Sequence, residues 1–567
     1  MARAITKKRA VTVYFLFVFF FSAIAAQIIH LQVVKGSFFR ELAKNQHYRN
    51  IRLEGQRGVI FDRRKRVLAT GLHCYSVFAD PSLVDDPELT AKVLAKNLDV
   101  PKTMILSRLN KNKRFVWIKR KISLDQQKKI ASLKLEGIRF IRERKRFYPH
   151  ETVAGSVLGL TDIDNKGQEG LEIFYEKYLK GKDGQVRVLQ DSSSRQLILS
   201  SQVITPQRGA DIVLALDAQI QYWVEEALEK VVKDFRAKGA SAIVMDAMTG
   251  EVISLANYPF FDPNERETES LEYINNRAVT DVFEPGSVFK VVALLAAVSE
   301  KTFSKDDIIF CEDGTFDIPG KPLHDWKPYG ELAFEEVFMK SSNIGVAKIV
   351  AALGQETFFS YIERLGFGQL TGIDFFGESP GKLRSFSQWS RRSGYIIPIG
   401  QEISVNLIQL ARAFAVIVND GYLVKPHLAK SICSYNFCKD VNYRRKRVFS
   451  SSVAEEAKRI LIKVVAEGTG KRAGIKQRVI GGKTGTAQKY DSKLGRYSPS
   501  DYRATFAGFI ADLDRPIVIA VSVDEPRSSH FGGVVAAPVF REIAEKIIAY
   551  VESQGVTKSP RSDFSLN

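Results

Sequence analysis

Three short groups of residues in this chain could together break and make an acyl bond. Ser287 and Lys290 stand three apart in FEPGSVFKVVALLAAV. Pro285-Gly286 closes a loop and the apolar run after it has helical character, so Ser287 is expected at a helix N-terminus with Lys290 on the same face. An ammonium half-buried among Val288, Phe289 and Val291 should lose proton affinity. A neutral lysine can then take the proton of a serine hydroxyl, which is otherwise a sluggish nucleophile. The N–H groups of a helix start also suit an oxyanion developing on the attacked carbonyl.

Ser-x-x-Lys alone identifies nothing, because the ordinary role of such a serine is to cap a helix. A second match, Ser379 to Lys382, contains Pro380 and Gly381, which forbid a continuous helix. Two further groups give the first one meaning. Ser341-Ser342-Asn343 follows Lys340 in FMKSSNIGVAKIV, between two helical stretches. Other Ser-x-Asn matches begin at Ser404, Ser434 and Ser565, but they lack its flanks and its distance from Ser287. Lys483-Thr484-Gly485-Thr486 lies in VIGGKTGTAQK, whose alternation and glycines suit an exposed edge strand. A substrate backbone can pair with such a strand. Lys483 offers positive charge to a carboxylate, and Thr484 and Thr486 offer hydroxyls.

These groups need a scaffold. ADIVLALDAQIQYWVEEALEKVVKDF reads as a strand and a long amphipathic helix, and GASAIVMDAMTGEVISLAN as two antiparallel strands joined at Met248-Thr249-Gly250. Helical segments fill roughly 281–420, and strands return in RVIGGKTGTAQK, ATFAGFIAD and RPIVIAVSVDE. The last helix is expected over APVFREIAEKIIAYVES. A sheet contributed by both ends, with helices between, makes one α/β domain over 205–552. Upstream, Gly36 to Arg49 has helical periodicity and reads as a stalk. Ile51 to Thr70 reads as strand, turn and strand, with Asp62-Arg63 at the bend. Residues 85–135 read as amphipathic helices. No catalytic constellation is found between 31 and 200, and the tail from Gln554 is polar and expected to be disordered.

The chain has 567 residues, too many for one ordinary core, and its 45% hydrophobic content is that of a folded protein. Arg3, Lys7, Lys8 and Arg9 precede an apolar run from about Ala10 to Ile29. That length spans a bilayer as a helix, and the basic cluster should stay cytoplasmic. A cleaved signal is the rival, but the run is long for one and no small-x-small site follows. Everything past residue 30 then lies outside. The formal net charge of +19 suggests anionic partners. Nucleic acid is excluded for an exported domain, which leaves anionic lipid headgroups, phosphorylated lipid-linked substrates and wall components. The basic tract from Lys111 to Arg146 fits a solvated face as well as a binding patch. Four cysteines are too few for a disulfide framework. Cys433 and Cys438 are either a hairpin staple or two free thiols, and Cys74 and Cys311 have no evident partner. No metal-ligand spacing, phosphate loop, dinucleotide fingerprint or G-x-S-x-G occurs, so no cofactor is expected.

The ordered set Ser-x-x-Lys, Ser-x-Asn, Lys-Thr-Gly resembles that of the class B penicillin-binding proteins, monofunctional transpeptidases of the bacterial wall. RGVIFDRRKRVLA and RFYPHETVAGSVLGLTDIDNKGQEGLE are similar to the family's pedestal segments. EPGSVFK, MKSSNIG, AEGTGKRA, GGKTGTAQK, VDEP and FGGVVAAPVFREI are similar to its catalytic signatures. The resemblance implies an α/β (α+β) fold with a five-stranded antiparallel sheet flanked by helices. It divides the chain into a cytoplasmic tail (1–9), a transmembrane anchor (10–30), a pedestal (31–204), a transpeptidase domain (205–552) and a tail (553–567).

It also implies roles. Ser287 attacks the penultimate D-Ala carbonyl of a stem pentapeptide, releasing the terminal D-Ala, with Lys290 as base. Ser341 and Asn343 move the proton and hold the substrate amide, assisted by Lys483. Thr484, Gly485 and Thr486 bind the substrate, the two threonines at its carboxylate, and the N–H groups of Ser287 and Thr486 form the oxyanion hole. An acceptor stem amine completes a cross-link, and β-lactams acylate the same serine. The compact pedestal and the RGVIFDR and FADPSLV wording look like the division type. That type implies partners in a polytopic glycosyltransferase of lipid-linked substrates and in division-complex proteins at the inner membrane. An elongation enzyme, a D,D-carboxypeptidase or β-lactamase relative, and a β-lactam sensor or scaffold are the alternatives. Asp62 and Arg63 would pin a pedestal turn. Glu402, in GQEISVN, replaces a residue that is usually Gly, which leaves the backbone path there open.

Overall fold

The computed structural model describes residues 2–39, 48–190, 196–265, 272–435, 437–443, 445–491 and 495–553. Residues 40–47 of the expected stalk and the tail from 554 lie outside this set. The chain forms two compact units, residues 1–56 with 181–209, and residues 57–180 with 210–567.

In the first unit a helix over Ala2–Ile29 continues into a π-helical turn, His30–Val34. Together they include a segment, Lys7–Val34, long and apolar enough to cross a membrane. The same unit holds a three-stranded antiparallel sheet of Tyr48–Leu53, Gly184–Gln190 and Gln196–Ile204. Tyr48 and Arg49 are therefore strand and not the end of a stalk helix.

Among the described residues the second unit carries two large sheets and three two-stranded ones. A seven-stranded one runs Phe437–Asp440, Ala429–Ser434, Asp211–Leu214, Ile60–Phe61 and Val67–Ala79, and the last pairs with both Val116–Ile122 and Ile138–Phe147. Val116–Ile122 corrects the helical reading of 85–135: Val116, Ile118 and Ile122 are buried at even spacing, the two-residue period of a strand. Helices do flank it, over Pro87–Leu98, Lys102–Leu109 and Leu124–Ser132. The bend between Phe61 and Val67 is held by Asp62. Its Oδ1 accepts from the N–H groups of Arg64 and Arg66 at 2.8 Å, and its Oδ2 from Ala218 N at 3.2 Å. The basic tract is partly structural, since Arg146 is buried on Glu172 at 2.6 Å and Arg120 pairs with Glu143 at 2.6 Å. Cys433 and Cys438 form a disulfide across the outermost hairpin, and Cys74 and Cys311 are buried.

The second sheet is the expected five-stranded antiparallel one. Helix α1 (Ala218–Phe235) leads into strands β1 (Gly239–Asp246) and β2 (Val252–Tyr258). Helices α2 (Lys290–Glu300), α3 (Asn343–Leu353), α4 (Leu407–Val418) and α5 (Ser451–Ala466) follow. Strands β3 (Ile480–Asp491), β4 (Arg496–Ile510) and β5 (Ile517–Asp524) and helix α6 (Gly532–Ser553) complete it. The strand order is β2-β1-β5-β4-β3, so β3 is an edge. Helices α1 and α6 cover one face and α4 packs on the other, and almost every residue of β1, β2 and β5 is buried. Helix α6 begins five residues before the expected Ala537, leaving Pro538 inside it.

Candidate active site

Ser287 lies in a short 3-10 turn, Gly286–Phe289, that runs into α2. It thus precedes the α-helix instead of opening it. Gly286 has φ +57° and its N–H donates to Gly400 O at 3.2 Å. A Cβ on Gly400 would stand 2.2 Å from Gly286 O, so glycine is what lets the two loops touch.

Lys290, the first residue of α2, is fully buried. Its Nζ lies 2.7 Å from Ser341 O, 2.8 Å from Asn343 Oδ1 and 3.3 Å from Ser341 Oγ. The two carbonyl oxygens can only accept, so they take both hydrogens of a neutral amine and leave its lone pair for a hydroxyl. Burial pushes Lys290 down to about 7, against the opposing pull of Asp325 and Cys311. Lys483, on β3, is buried as well, and its Nζ donates to Ser341 Oγ at 2.8 Å. Burial, and then the charge of Lys290, hold Lys483 well below the range of a free lysine. The Ser341 hydroxyl therefore stands between two amines. It is held there by a backbone with φ +59°, a conformation that costs a non-glycine residue about 1 kcal/mol or more.

Asn343 opens α3 and is fixed at both ends. Its Nδ2 donates to His324 O at 2.8 Å, and its backbone N–H donates to Asp325 Oδ1. On β3, Thr484 Oγ1 bonds Thr469 Oγ1 at 3.1 Å. Thr486 Oγ1 accepts from Gly532 N at 3.0 Å, leaving its own hydrogen to donate elsewhere. A Cβ on Gly485 would lie 2.7 Å from both Pro285 O and Val288 Cγ2, so β3 presses directly on the turn that carries Ser287. The backbone of Gly485-Thr486 consequently runs beside Gly286 and Val288, the residues on either side of Ser287.

Past Thr486 the cleft continues into a cavity of about 380 Å³, with Glu284, Arg384, Glu402 and Gln488 among its walls. Burial raises Glu284, whose Oε1 accepts from Glu402 N and Tyr497 OH, both at 3.0 Å. Glu402 takes φ +58°, so the left-handed turn that glycine favours is kept by a glutamate. Its carboxylate pairs with Arg384 and accepts from Ser393 Oγ at 2.7 Å.

The structure thus gathers Lys290, Ser341, Asn343 and Lys483 in one hydrogen-bonded cluster, with Thr484, Gly485 and Thr486 on the adjoining edge and Ser287 on the turn that edge presses. Sequence reasoning missed Asp325 and Thr469, and quoted Gly400 in GQEISVN without giving it a role. Thr469 lay within the recognised AEGTGKRA segment and could have been named. Asp325 caps a helix that begins well downstream of it, where no local pattern points.

Residues 240–545 match the family described as the penicillin binding protein transpeptidase domain, and residues 52–214 the penicillin-binding protein dimerisation domain. The chain is 34% identical over 530 residues to the probable peptidoglycan D,D-transpeptidase PenA of Neisseria gonorrhoeae, covering 92% of this chain and 89% of that protein. It is 30% identical over 556 residues to the peptidoglycan D,D-transpeptidase FtsI of Escherichia coli, covering 95% and 92%. Among solved structures it is similar to penicillin binding protein 3 of Mycobacterium tuberculosis complexed with aztreonam. The TM-score is 0.70 at 28% identity, covering 90% of this chain and 98% of that one.

Proposed function

Because this chain belongs to the penicillin-binding proteins, peptidoglycan D,D-transpeptidases that work as serine acyltransferases, we propose that Ser287 is its nucleophile and Lys290 its base. Ser287 Oγ bonds to the penultimate D-Ala carbonyl of a donor stem as its proton passes to Lys290 Nζ. The carbonyl oxygen becomes an oxyanion held by the N–H groups of Ser287 and Thr486. Collapse breaks the peptide C–N bond, and the departing D-Ala nitrogen takes a proton relayed from Lys290 through the Ser341 hydroxyl. An acceptor amine then attacks the acyl-serine ester, returns a proton along the same path, and frees Ser287. Thr486 and Thr484 hold the donor carboxylate, and Asn343 holds its amide.

The observation that carries this reading is the Ser341 hydroxyl in reach of both Lys290 and Lys483. Its test is covalent labelling with a penicillin read by intact mass. The parent gains the mass of one whole penicillin and Ser287→Ala gains none. A long-lived adduct fits the transpeptidase, rapid release of hydrolysed drug would assign a hydrolase instead, and absence of both in folded parent would leave a non-catalytic scaffold.

We further assign the enzyme to septal wall synthesis at the inner membrane, with the catalytic unit outside and the N-terminal helix beside a polytopic glycosyltransferase. The compact pedestal and its RGVIFDR and FADPSLV segments support this over an elongation role. Depletion in the native host should give filaments with blocked septa, and rounded cells would favour elongation.

A further inference from the structure

We propose that Asp325 is a positioning residue for acylation: its carboxylate locks the Ser342-Asn343 turn against Lys290, and its charge sets how readily Lys290 accepts the serine proton. This rests on Lys290 being the base.

The geometry gives Asp325 two separate tasks. Its Oδ2 accepts from Ser342 Oγ at 2.6 Å, and its Oδ1 from the N–H groups of Asn343 and, at 3.2 Å, Ile344. Ser342 Oγ in turn caps Gly345 N at 2.9 Å. With His324 O on the Asn343 amide, the segment 324–325 fixes both the backbone and the side chain of Asn343. That fixes the oxygen Asn343 presents to Lys290 at 2.8 Å.

The second task is electrostatic. Two lysines are buried around one hydroxyl, Lys290 from α2 and Lys483 from β3. The groups that act on Lys290 besides burial are Asp325 and Cys311. Burial pushes the Cys311 thiol up, so it stays uncharged at neutral pH. Lys348, on α3, acts on Cys311 and is itself paired with Glu312. Tyr329 is a phenol pushed further from ionising by burial and by Asp325. Asp325 therefore supplies the formal negative charge that Lys290 meets. A carboxylate favours the ammonium, so removing it makes Lys290 give up its proton at lower pH.

The test follows penicillin acylation of the full-length, detergent-purified chain from pH 5 to 9. Lys290 must be neutral to act, so the parent rate rises with a limb centred near pH 7. Asp325→Asn should lower the plateau and move that limb about one pH unit downward, the reach of an opposite charge at close range. Asp325→Ser, a second neutral residue, should move the limb likewise, and Asp325→Glu should restore it. Ser342→Ala, which keeps the charge and breaks the bonds to Asp325 and to Gly345 N, should lower the plateau and leave the limb in place. A limb unmoved in both neutral variants would overturn the proposal, as would their failure to fold, which would make the carboxylate purely structural. Parent protein that is not acylated would refute the nucleophile reading instead.

Discussion

Lys483 Nζ donates to Ser341 Oγ at 2.8 Å, joining the edge strand of the catalytic sheet to the turn ahead of α3. One hydroxyl thus ties two of the three motifs, and the third reaches it through Lys290 at 3.3 Å. Ser341→Ala should slow acylation by about 10²-fold, the usual worth of a positioned proton carrier. It should also lower thermal stability slightly, by roughly 1 kcal/mol, because buried Lys483 loses its hydroxyl partner. Stopped-flow acylation and a thermal melt of the same variant measure both. An unchanged rate would remove Ser341 from the proton path.

The pH dependence of the parent follows from Lys290. Burial lowers it to about 7, so the neutral base accumulates as pH rises through that value. Acylation should therefore be slow at pH 5.5, half-maximal near 7 and level above 8. An ordinary lysine in that place would postpone the rise by several units, as its reference value of 10.5 requires. The rate profile with a neutral β-lactam, whose own ionisation stays constant, distinguishes the two.

The acylation motifs were legible because Ser287 and Lys290 need only one turn of helix, and Ser341 and Asn343 one loop. What was not legible is tertiary. The Ser341 to Lys483 bond spans 142 residues, and no periodicity encodes it. Helix α6 is expected from the sequence to start at Ala537, and glycines such as Gly532 and Gly533 are poor helix formers. It starts at Gly532, where a Cβ would meet Gly485 O at 2.2 Å, so contact with the catalytic strand overrides propensity. Val116–Ile122 was misread for a related reason. Lys119, Arg120 and Lys121 hide its alternation, and Arg120 is drawn onto Glu143 of Ile138–Phe147, a strand that pairs with Val67–Ala79.

Glu402 offers a test of how much a left-handed glutamate matters beside the cleft. Its φ of +58° disfavours it by about 1 kcal/mol relative to glycine. Its carboxylate gains a partly exposed Arg384 pair, at 37% and 26% and worth less than about 1 kcal/mol, and the Ser393 Oγ bond, worth about 1 kcal/mol. The two effects oppose each other, and the bond to Glu284 comes from the Glu402 backbone, which glycine keeps. Glu402→Gly should therefore melt within a few degrees of the parent and still acylate. Loss of acylation in a folded variant would show that the carboxylate itself serves the site.

The last prediction concerns the joint that carries α1. Glu225 is 6% exposed on that helix, and its Oε1 accepts from Ala154 N at 2.9 Å and from Gln221 Nε2 at 2.8 Å. Burial raises it to about 7 despite both bonds. The folded protein then keeps a proton on Glu225 up to that pH, whereas the unfolded chain loses it near 4.5. Between these values the folded state binds more protons, so stability falls as pH rises, and the loss is complete above 7. Glutamine keeps an oxygen for Ala154 and carries no charge to desolvate. Glu225→Gln should therefore match the parent at pH 4.5 and exceed it at pH 8, by roughly 3 kcal/mol at most, with one pKa unit equal to about 1.4 kcal/mol. Paired thermal melts across that range read the difference directly. A gap that is constant with pH would mean that Glu225 ionises alike in both states, and that the α1 joint is held without a buried proton.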